Sequence, residues 1–124
     1  MSHEQLSIRT RDGDCPAHVF KPDGLGAWPA AIFYMDGLGI RPTLFEMGQR
    51  LADGGYVVLL PDLFYRAGPY AALDPKKVFA SGDVMGAIGH LFRSTNNRLA
   101  AEDSEAFLAH LDTRDAAAGS NNVL

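Results

Sequence analysis

The sequence contains a single cysteine, Cys15, so it can form no internal disulfide. Its formal net charge is -4, and its basic residues are scattered singly apart from Lys76 and Lys77. Because no basic patch is present, neither nucleic acid nor an anionic membrane is expected as a partner. The first residues lack the basic and apolar segments of a signal peptide, which predicts a cytoplasmic protein.

Sequence patterns for metals, cofactors and a cysteine nucleophile are also lacking. The histidines show no paired metal-ligand spacing and no nearby cysteine cluster, so no metal site is predicted. Gly37 and Gly39 are not followed by the third glycine of a dinucleotide-binding loop, and no cofactor is predicted. Cys15 and His18 lie three residues apart in a predicted strand and so point to opposite faces, which argues against catalysis by Cys15.

What the sequence does contain is the pattern of a parallel β-α-β unit. The 124 residues, 47% of them hydrophobic and 21% charged, suit one domain with one core. Two continuous apolar runs, at residues 29–34 and 56–60, suit strands that are covered on both faces. Between them, Leu44, Met47, Gly48 and Leu51 recur at the helical period. Functional residues are therefore expected in the polar, glycine-rich segments after residues 34 and 60.

The rest of the chain completes an α/β fold in a single domain, residues 1–124. Strands at residues 6–10 and 18–20 flank an Asp-Gly turn and predict an antiparallel pair. Thr43 and Glu46 have capping-box spacing, which predicts the start of the first helix. Asp74 and Pro75 predict a short helical turn, and further helices are predicted at 82–93 and 99–111. The acidic residues near the start of the last helix are expected to stabilise its dipole: Glu102, Asp103 and Glu105.

Two segments resemble the dienelactone hydrolase family of α/β-hydrolases. They are the run from Tyr34 to Gly39 (YMDGLG) and the run from Gly55 to Arg66 (GYVVLLPDLFYR), with the predicted helix between them. The likeness extends over about residues 7–112 and corresponds to the N-terminal half of that family's domain. It implies an incomplete, truncated α/β-hydrolase fold. It also implies hydrolysis of an ester or lactone, of the carboxymethylenebutenolidase type, through an acyl-enzyme.

The resemblance assigns roles to three residues. Asp36 falls where the family has an acidic residue beside the nucleophile, and the Gly37 amide falls where the family has an oxyanion-hole donor. Arg66 falls where the family has an arginine that binds the substrate carboxylate. Without the resemblance, Asp36 would be interpreted as a turn residue and Arg66 as an ion-paired loop arginine. Asp62 is expected to be structural and to bond nearby amides.

The catalytic nucleophile of that family is not found in the sequence, which contains neither Gly-x-Ser-x-Gly nor Gly-x-Cys-x-Gly. The complete form is therefore expected to act on a small ester or lactone, and this chain alone is expected to be inactive. The alternatives are a half-domain that needs a partner and a non-functional truncation product. A flavodoxin-like domain would need a phosphate-binding loop that is not found. The strand at 30–34 would leave an unpaired edge, which predicts possible self-association.

Overall fold

The structure, a computed structural model, describes residues 2–24 and 26–112. It begins with an antiparallel hairpin of β1 (Ser2–Thr10) and β2 (Gly13–Lys21), in register from Ser2 opposite Lys21 to Thr10 opposite Gly13. The Thr10 hydroxyl donates to the Gly13 carbonyl oxygen over 3.0 Å and so ties the two ends of the turn. The predicted antiparallel pair is confirmed, and both strands are longer than their apolar patterns indicated.

The β-α-β unit is also confirmed. It consists of β3 (Ala30–Ile32), α1 (Pro42–Asp53) and β4 (Val57–Pro61), and its two strands are parallel. β4 also pairs antiparallel with β2, so the sheet order is β1-β2-β4-β3. Within the described residues, β3 therefore lies at an edge of the sheet and pairs with β4 alone.

Both faces of the sheet are covered, which explains why β3 and β4 are continuously apolar rather than alternating. Along β2, residues of opposite parity face opposite cores. One core contains Cys15, Ala17 and Val19 together with Phe107 and Leu111 of the last helix. The other core packs α1 against the sheet and contains Phe20, Leu44, Ala52, Val58 and Leu60.

The predicted capping box at the start of α1 is wrong. Arg41 occupies the N-cap position without a side-chain capping bond, and Pro42 is the first helical residue. Proline suits that position because its φ is already helical and its missing N–H would have no partner there. Thr43 therefore lies inside the first turn. At the other end, Gly55 has a φ of 101°, a left-handed conformation that ends the helix before β4.

Within the described residues, four further helical segments follow β4. They are a 3₁₀ turn (Tyr65–Ala67), α2 (Pro75–Ala80), α3 (Val84–Phe92) and α4 (Asn97–Asp112). The carboxylates of Asp74 and Asp83 cap α2 and α3, since each accepts a backbone amide of the first turn at 3.0 and 2.9 Å respectively. None of the helices in the described part of the chain is long and apolar enough to cross a membrane.

The buried faces of the last two helices differ in part from the predicted ones. On α3, Ile88 is buried as expected, but Met85 is 54% exposed and Phe92 is 38% exposed. On α4, Phe107 and Leu111 are buried, together with one charged residue, Asp103, which is only 2% exposed. Because α4 begins at Asn97 and has no acidic residue in its first turn, the expectation that Glu102, Asp103 and Glu105 stabilise the helix dipole is wrong.

Candidate functional site

The loop after β3 is organised by an ion pair between Asp36 and Arg41. The two guanidinium nitrogens Nη1 and Nη2 of Arg41 donate to Oδ1 and Oδ2 of Asp36, at 2.5 and 2.8 Å. Nη1 also donates to the Gly39 carbonyl oxygen at 3.0 Å, and Oδ1 of Asp36 accepts the Leu38 amide at 3.1 Å. The hydrogen bond from Arg41 lowers the pKa of the Asp36 carboxyl. Asp36 is therefore a fixed and ionised carboxylate at neutral pH.

Most amides of this loop already have acceptors. The Gly39 amide donates to the Asp36 carbonyl oxygen at 3.0 Å, and the Ile40 amide donates to the Tyr70 hydroxyl at 3.2 Å. The amide of residue 38 bonds the Asp36 carboxylate, as above. Of the four amides from residue 37 to residue 40, only that of Gly37 has no acceptor among the residues that the structure describes.

The loop after β4 is tied to the loop after β3 through Tyr70. Its hydroxyl accepts from Ile40 and donates to Oδ1 of Asp62 at 2.9 Å, while the same oxygen accepts the Phe64 amide at 3.0 Å. The expectation that Asp62 bonds a nearby amide is confirmed. Burial raises the pKa of both Asp62 and Tyr70. A Cβ atom at Gly39, whose φ is 77°, would lie 2.7 Å from the Tyr70 hydroxyl, so only glycine permits this approach.

Asp36 and Gly37 line the same cavity, whose volume is about 290 Å³. The remaining lining is mostly apolar and consists of Met35, Leu63, Phe64, Phe92 and Thr95. The Thr95 hydroxyl is buried and has no hydrogen-bond partner among the described residues. The cavity thus combines mostly apolar walls with Asp36 and with Gly37, whose amide has no acceptor among the described residues. Such a lining suits a small ligand that carries a hydrogen-bond acceptor.

A second cleft of about 430 Å³ adjoins this loop from the side of Arg41. Its lining includes His18, Phe45, Asp62 and Tyr70 as well as Arg41. Asp36 lines the smaller cavity and Arg41 lines the larger cleft, so their ion pair joins the walls of the two.

Arg66, the third predicted site residue, does not line the cavity with Asp36 and Gly37. Its Nε and Nη2 donate to Oδ2 of Asp12 at 2.9 and 2.7 Å. Its Nη1 and Nη2 donate to the two carboxylate oxygens of Asp103, both at 2.9 Å. All three guanidinium nitrogens are thus bonded within the chain. The role of Arg66 in binding a substrate carboxylate stays a prediction.

Asp103 is the partner of Arg66 that the sequence interpretation missed. It also accepts the Tyr65 hydroxyl at 3.1 Å, and the Tyr65 oxygen lies 2.7 Å from the Thr10 hydroxyl. One signal could have placed Asp103 on the buried face of α4, since it lies four residues before Phe107 and eight before Leu111.

Cys15 is fully buried, and burial raises the pKa of its thiol to about 12. Its Sγ lies 3.5 Å from the carbonyl oxygens of Pro16 and Asp62. His18 faces the opposite core, as predicted, and contacts Phe45. It is hydrogen-bonded to His3, whose Nε2 lies 2.8 Å from Nδ1 of His18, a pairing that sequence spacing did not predict. No group of three or more metal-ligating side chains occurs within residues 2–24 and 26–112.

A hairpin joined to a parallel β-α-β unit gives a mixed four-stranded sheet, which matches part of the α/β-hydrolase fold. The sequence profile of the dienelactone hydrolase family matches residues 15–121. The chain belongs to this family. A comparison with curated protein sequences finds no match.

Solved structures share this fold. A proposed dienelactone hydrolase from Klebsiella pneumoniae superposes with a TM-score of 0.70 at 18% identity, over 98% of this chain and 45% of that one. A dienelactone hydrolase-like promiscuous phosphotriesterase from metagenomic libraries gives 0.62 at 17% identity, over 98% and 46%. An esterase from Pyrobaculum calidifontis gives 0.63 at 23% identity, over 98% and 34%. The chain therefore spans less than half the length of these proteins.

Proposed function

We propose that this chain forms the oxyanion-stabilising part of an ester or lactone hydrolase. The Gly37 amide would be one oxyanion donor, and Asp36 would be the acidic residue beside the nucleophile. The observation that carries the proposal is the Gly37 amide, which has no acceptor among the described residues and whose residue lines a cavity beside a fixed carboxylate. Loss of one such donor typically costs roughly 3–4 kcal/mol of transition-state stabilisation.

In this chemistry a nucleophile attacks the ester carbonyl and the carbonyl oxygen takes on negative charge, which the Gly37 amide stabilises. The alcohol then leaves, and water hydrolyses the acyl-enzyme. Cys15 is unsuited to the nucleophile's role because its thiol is fully buried and its pKa is raised. We therefore also propose that the chain on its own binds an ester without hydrolysing it.

A carboxymethylenebutenolidase type of activity is the finer form of this proposal, and it rests on the resemblance around Arg66. The substrate of such an enzyme carries a carboxylate, which a guanidinium can bind in two-pronged fashion. For Arg66 to do so, it would have to exchange at least one of its two carboxylate partners, Asp12 or Asp103, for the substrate.

The alternative is a half-domain that acts only with a partner, or a truncation product without function. The position of β3 favours dependence on pairing, since it lies at the edge of the sheet within the described chain. Exposed strand edges promote association with other strands. Size-exclusion chromatography tests this alternative, which expects elution as a dimer or larger species. A monomer that unfolds cooperatively would count against it.

The primary proposal is tested with phenyl acetate and the ¹⁵N-labelled chain. We expect the Gly37 amide resonance to shift saturably, whereas the amide of Gly24, which does not line the cavity, stays in place. Hydrolysis of p-nitrophenyl acetate should match the buffer rate for the wild type and for Cys15→Ala. A Gly37 resonance that does not respond would refute the oxyanion role. Hydrolysis that is lost in Cys15→Ala would refute the assignment of Cys15 as inert.

A further inference from the structure

The larger cleft, of about 430 Å³, has polar side chains from one face of the sheet in its lining. Gln5 of β1 and Leu60 of β4 both lie opposite His18 of β2, so these three side chains share a face. The strand pairing continues beyond β4, since the Asp62 amide donates to the Pro16 carbonyl oxygen at 2.9 Å. Asp62 lies two positions after Leu60 and therefore on the same face, where it lines the cleft with Gln5 and His18.

One oxygen of the Asp62 carboxylate is left for a ligand. Oδ1 accepts the Tyr70 hydroxyl and the Phe64 amide, as described above. Within residues 2–24 and 26–112, Oδ2 accepts no hydrogen bond and no cation pairs with Asp62. Oδ2 is not a buried atom either, so it is open to solvent. Tyr70, which holds the carboxylate, lines the same cleft.

The other charged groups of the cleft leave the negative charge of Asp62 without compensation. Arg41 is the one arginine or lysine in the lining, and its two Nη atoms are bonded to the two carboxylate oxygens of Asp36. The Nε atom of Arg41 is buried and does not reach a ligand. His18 is neutral at pH 7, because burial lowers the pKa of its imidazole. The cleft therefore favours a cation.

The walls of the cleft suit a small apolar body attached to that cation. Phe45 and Tyr70 contribute aromatic rings, and Ile40 and Pro42 contribute aliphatic surface. The volume lies within the usual range for ligand sites, roughly 300–1,000 Å³. Ammonium groups are attracted both to carboxylates and to the negative faces of aromatic rings. Burial raises the pKa of Asp62, and a cation beside the carboxylate would offset that penalty.

The geometry points to a second ligand site in this cleft, which binds a small organic ammonium through Oδ2 of Asp62 and holds its apolar body against Phe45. Nδ1 of His18 is occupied by His3, so Nε2 of His18 accepts a second N–H of the ligand when Nδ1 carries the proton. The site is separate from the proposed oxyanion site. Gly37 does not line this cleft, and neither Asp62 nor Phe45 lines the cavity beside Gly37.

The test compares benzylamine with benzyl alcohol, which has nearly the same size and shape without the charge. Both are titrated into the ¹⁵N-labelled full chain at pH 7, and the backbone amides of His18 and Phe45 report binding. We expect benzylamine to bind at least about tenfold more tightly, since hydrogen bonds between charged groups are the stronger ones. The amides of Gly37 and of Asp14, which lines a smaller pocket that Asp62 also borders, should not respond.

Asp62→Asn keeps Oδ1 as an acceptor for Tyr70 and Phe64 and removes the charge. This substitution should lower the affinity for benzylamine to that for benzyl alcohol, and the ¹⁵N spectrum shows whether the variant is folded. Asp53→Asn is the matched control, because Asp53 is exposed on α1 and does not line the cleft. It removes the same charge and should change neither affinity.

The inference is overturned by equal affinities in the wild type, or by a preference for benzylamine that survives in Asp62→Asn. It is also overturned if benzylamine does not bind, or if Asp14 responds while Phe45 does not. None of these results affects the oxyanion role of Gly37, which is tested by its own response to phenyl acetate.

Discussion

Replacing Asp103 with asparagine should remove a large fraction of the stability of this fold. Asp103 is 2% exposed and receives two bonds from Arg66, whose side chain is 15% exposed. The substitution leaves the buried guanidinium with Asp12, which is 37% exposed and so screened by water. Breaking a buried ion pair by removing one partner typically costs about 3–5 kcal/mol, and the remaining contact with Asp12 places the expected loss near the lower end, about 3 kcal/mol.

The assay is urea denaturation at pH 7, followed by the fluorescence of the single tryptophan, Trp28, which packs against the core that contains Phe107. Glu105→Gln, at an exposed position on the same helix, is the control and should change the free energy of unfolding by no more than about 0.5 kcal/mol. A shifted midpoint with an unchanged slope would attribute the change to stability alone.

A double-mutant cycle with Arg66→Met distinguishes an ion pair from two unrelated defects. Once Arg66 has lost its charge, Asp103→Asn should cost much less than in the wild type, since no buried cation is left unpaired. The reasoning is refuted if Asp103→Asn alone lies within about 0.5 kcal/mol of the wild type, or if the two substitutions are additive.

Two further predictions concern the core between α1 and the sheet. Burial lowers the pKa of His18, and the charge of His3 lowers it further. The unfolded state therefore binds the proton first as the pH falls. The stability that the fold gains from neutral His18 is complete above about pH 6.5 and is lost as the pH falls below that value. The melting temperature of His18→Gln should therefore fall less between pH 7 and pH 5 than that of the wild type or of the exposed control His90→Gln. An equal fall in melting temperature for all three proteins would contradict this. Gly48→Ala would place a Cβ atom 2.7 Å from two carbon atoms of the Phe20 ring, and we expect thermal denaturation to show a loss of about 1–3 kcal/mol from overpacking. An unchanged melting temperature would mean that the ring yields without cost.

The parts of the fold that sequence could predict are those that depend on local pattern. Two apolar runs around one amphipathic helix were sufficient for the β-α-β unit, because continuous burial and helical period are both visible within a few residues. The same pattern predicted functional residues after the first buried strand, and the family resemblance then assigned roles to Asp36 and Gly37 there. The error at Thr43 arose because two local signals competed, and Pro42 fits the first helical position better than a threonine cap.

The parts that could not be predicted join residues far apart in the chain. Arg66 meets Asp12 across 54 positions and Asp103 across 37, and no periodicity encodes which cation a buried carboxylate will find. Thr95 joins the lining of Asp36 and Gly37 only because the chain turns back at the end of α3. Its contribution to the cavity became visible from three-dimensional packing alone.

The contacts of Arg66 connect the stability of this fold with the proposed binding of a substrate carboxylate. A substrate carboxylate could replace Asp103 only by leaving that buried carboxylate without its cation, which typically costs about 3–5 kcal/mol. Asp12 is exposed enough to be exchanged, so recognition of a carboxylate through Arg66 would have to occur on the side of the β1–β2 turn. Asp12→Asn distinguishes a carboxylate-bearing lactone from a neutral ester as the substrate. If Arg66 receives the carboxylate, this substitution should tighten the binding of carboxymethylenebutenolide, because Asp12 no longer competes for Arg66. If the cavity beside Gly37 binds neutral esters instead, Asp12→Asn should change neither the affinity for carboxymethylenebutenolide nor that for its methyl ester, because Asp12 and Arg66 lie outside the lining of this cavity.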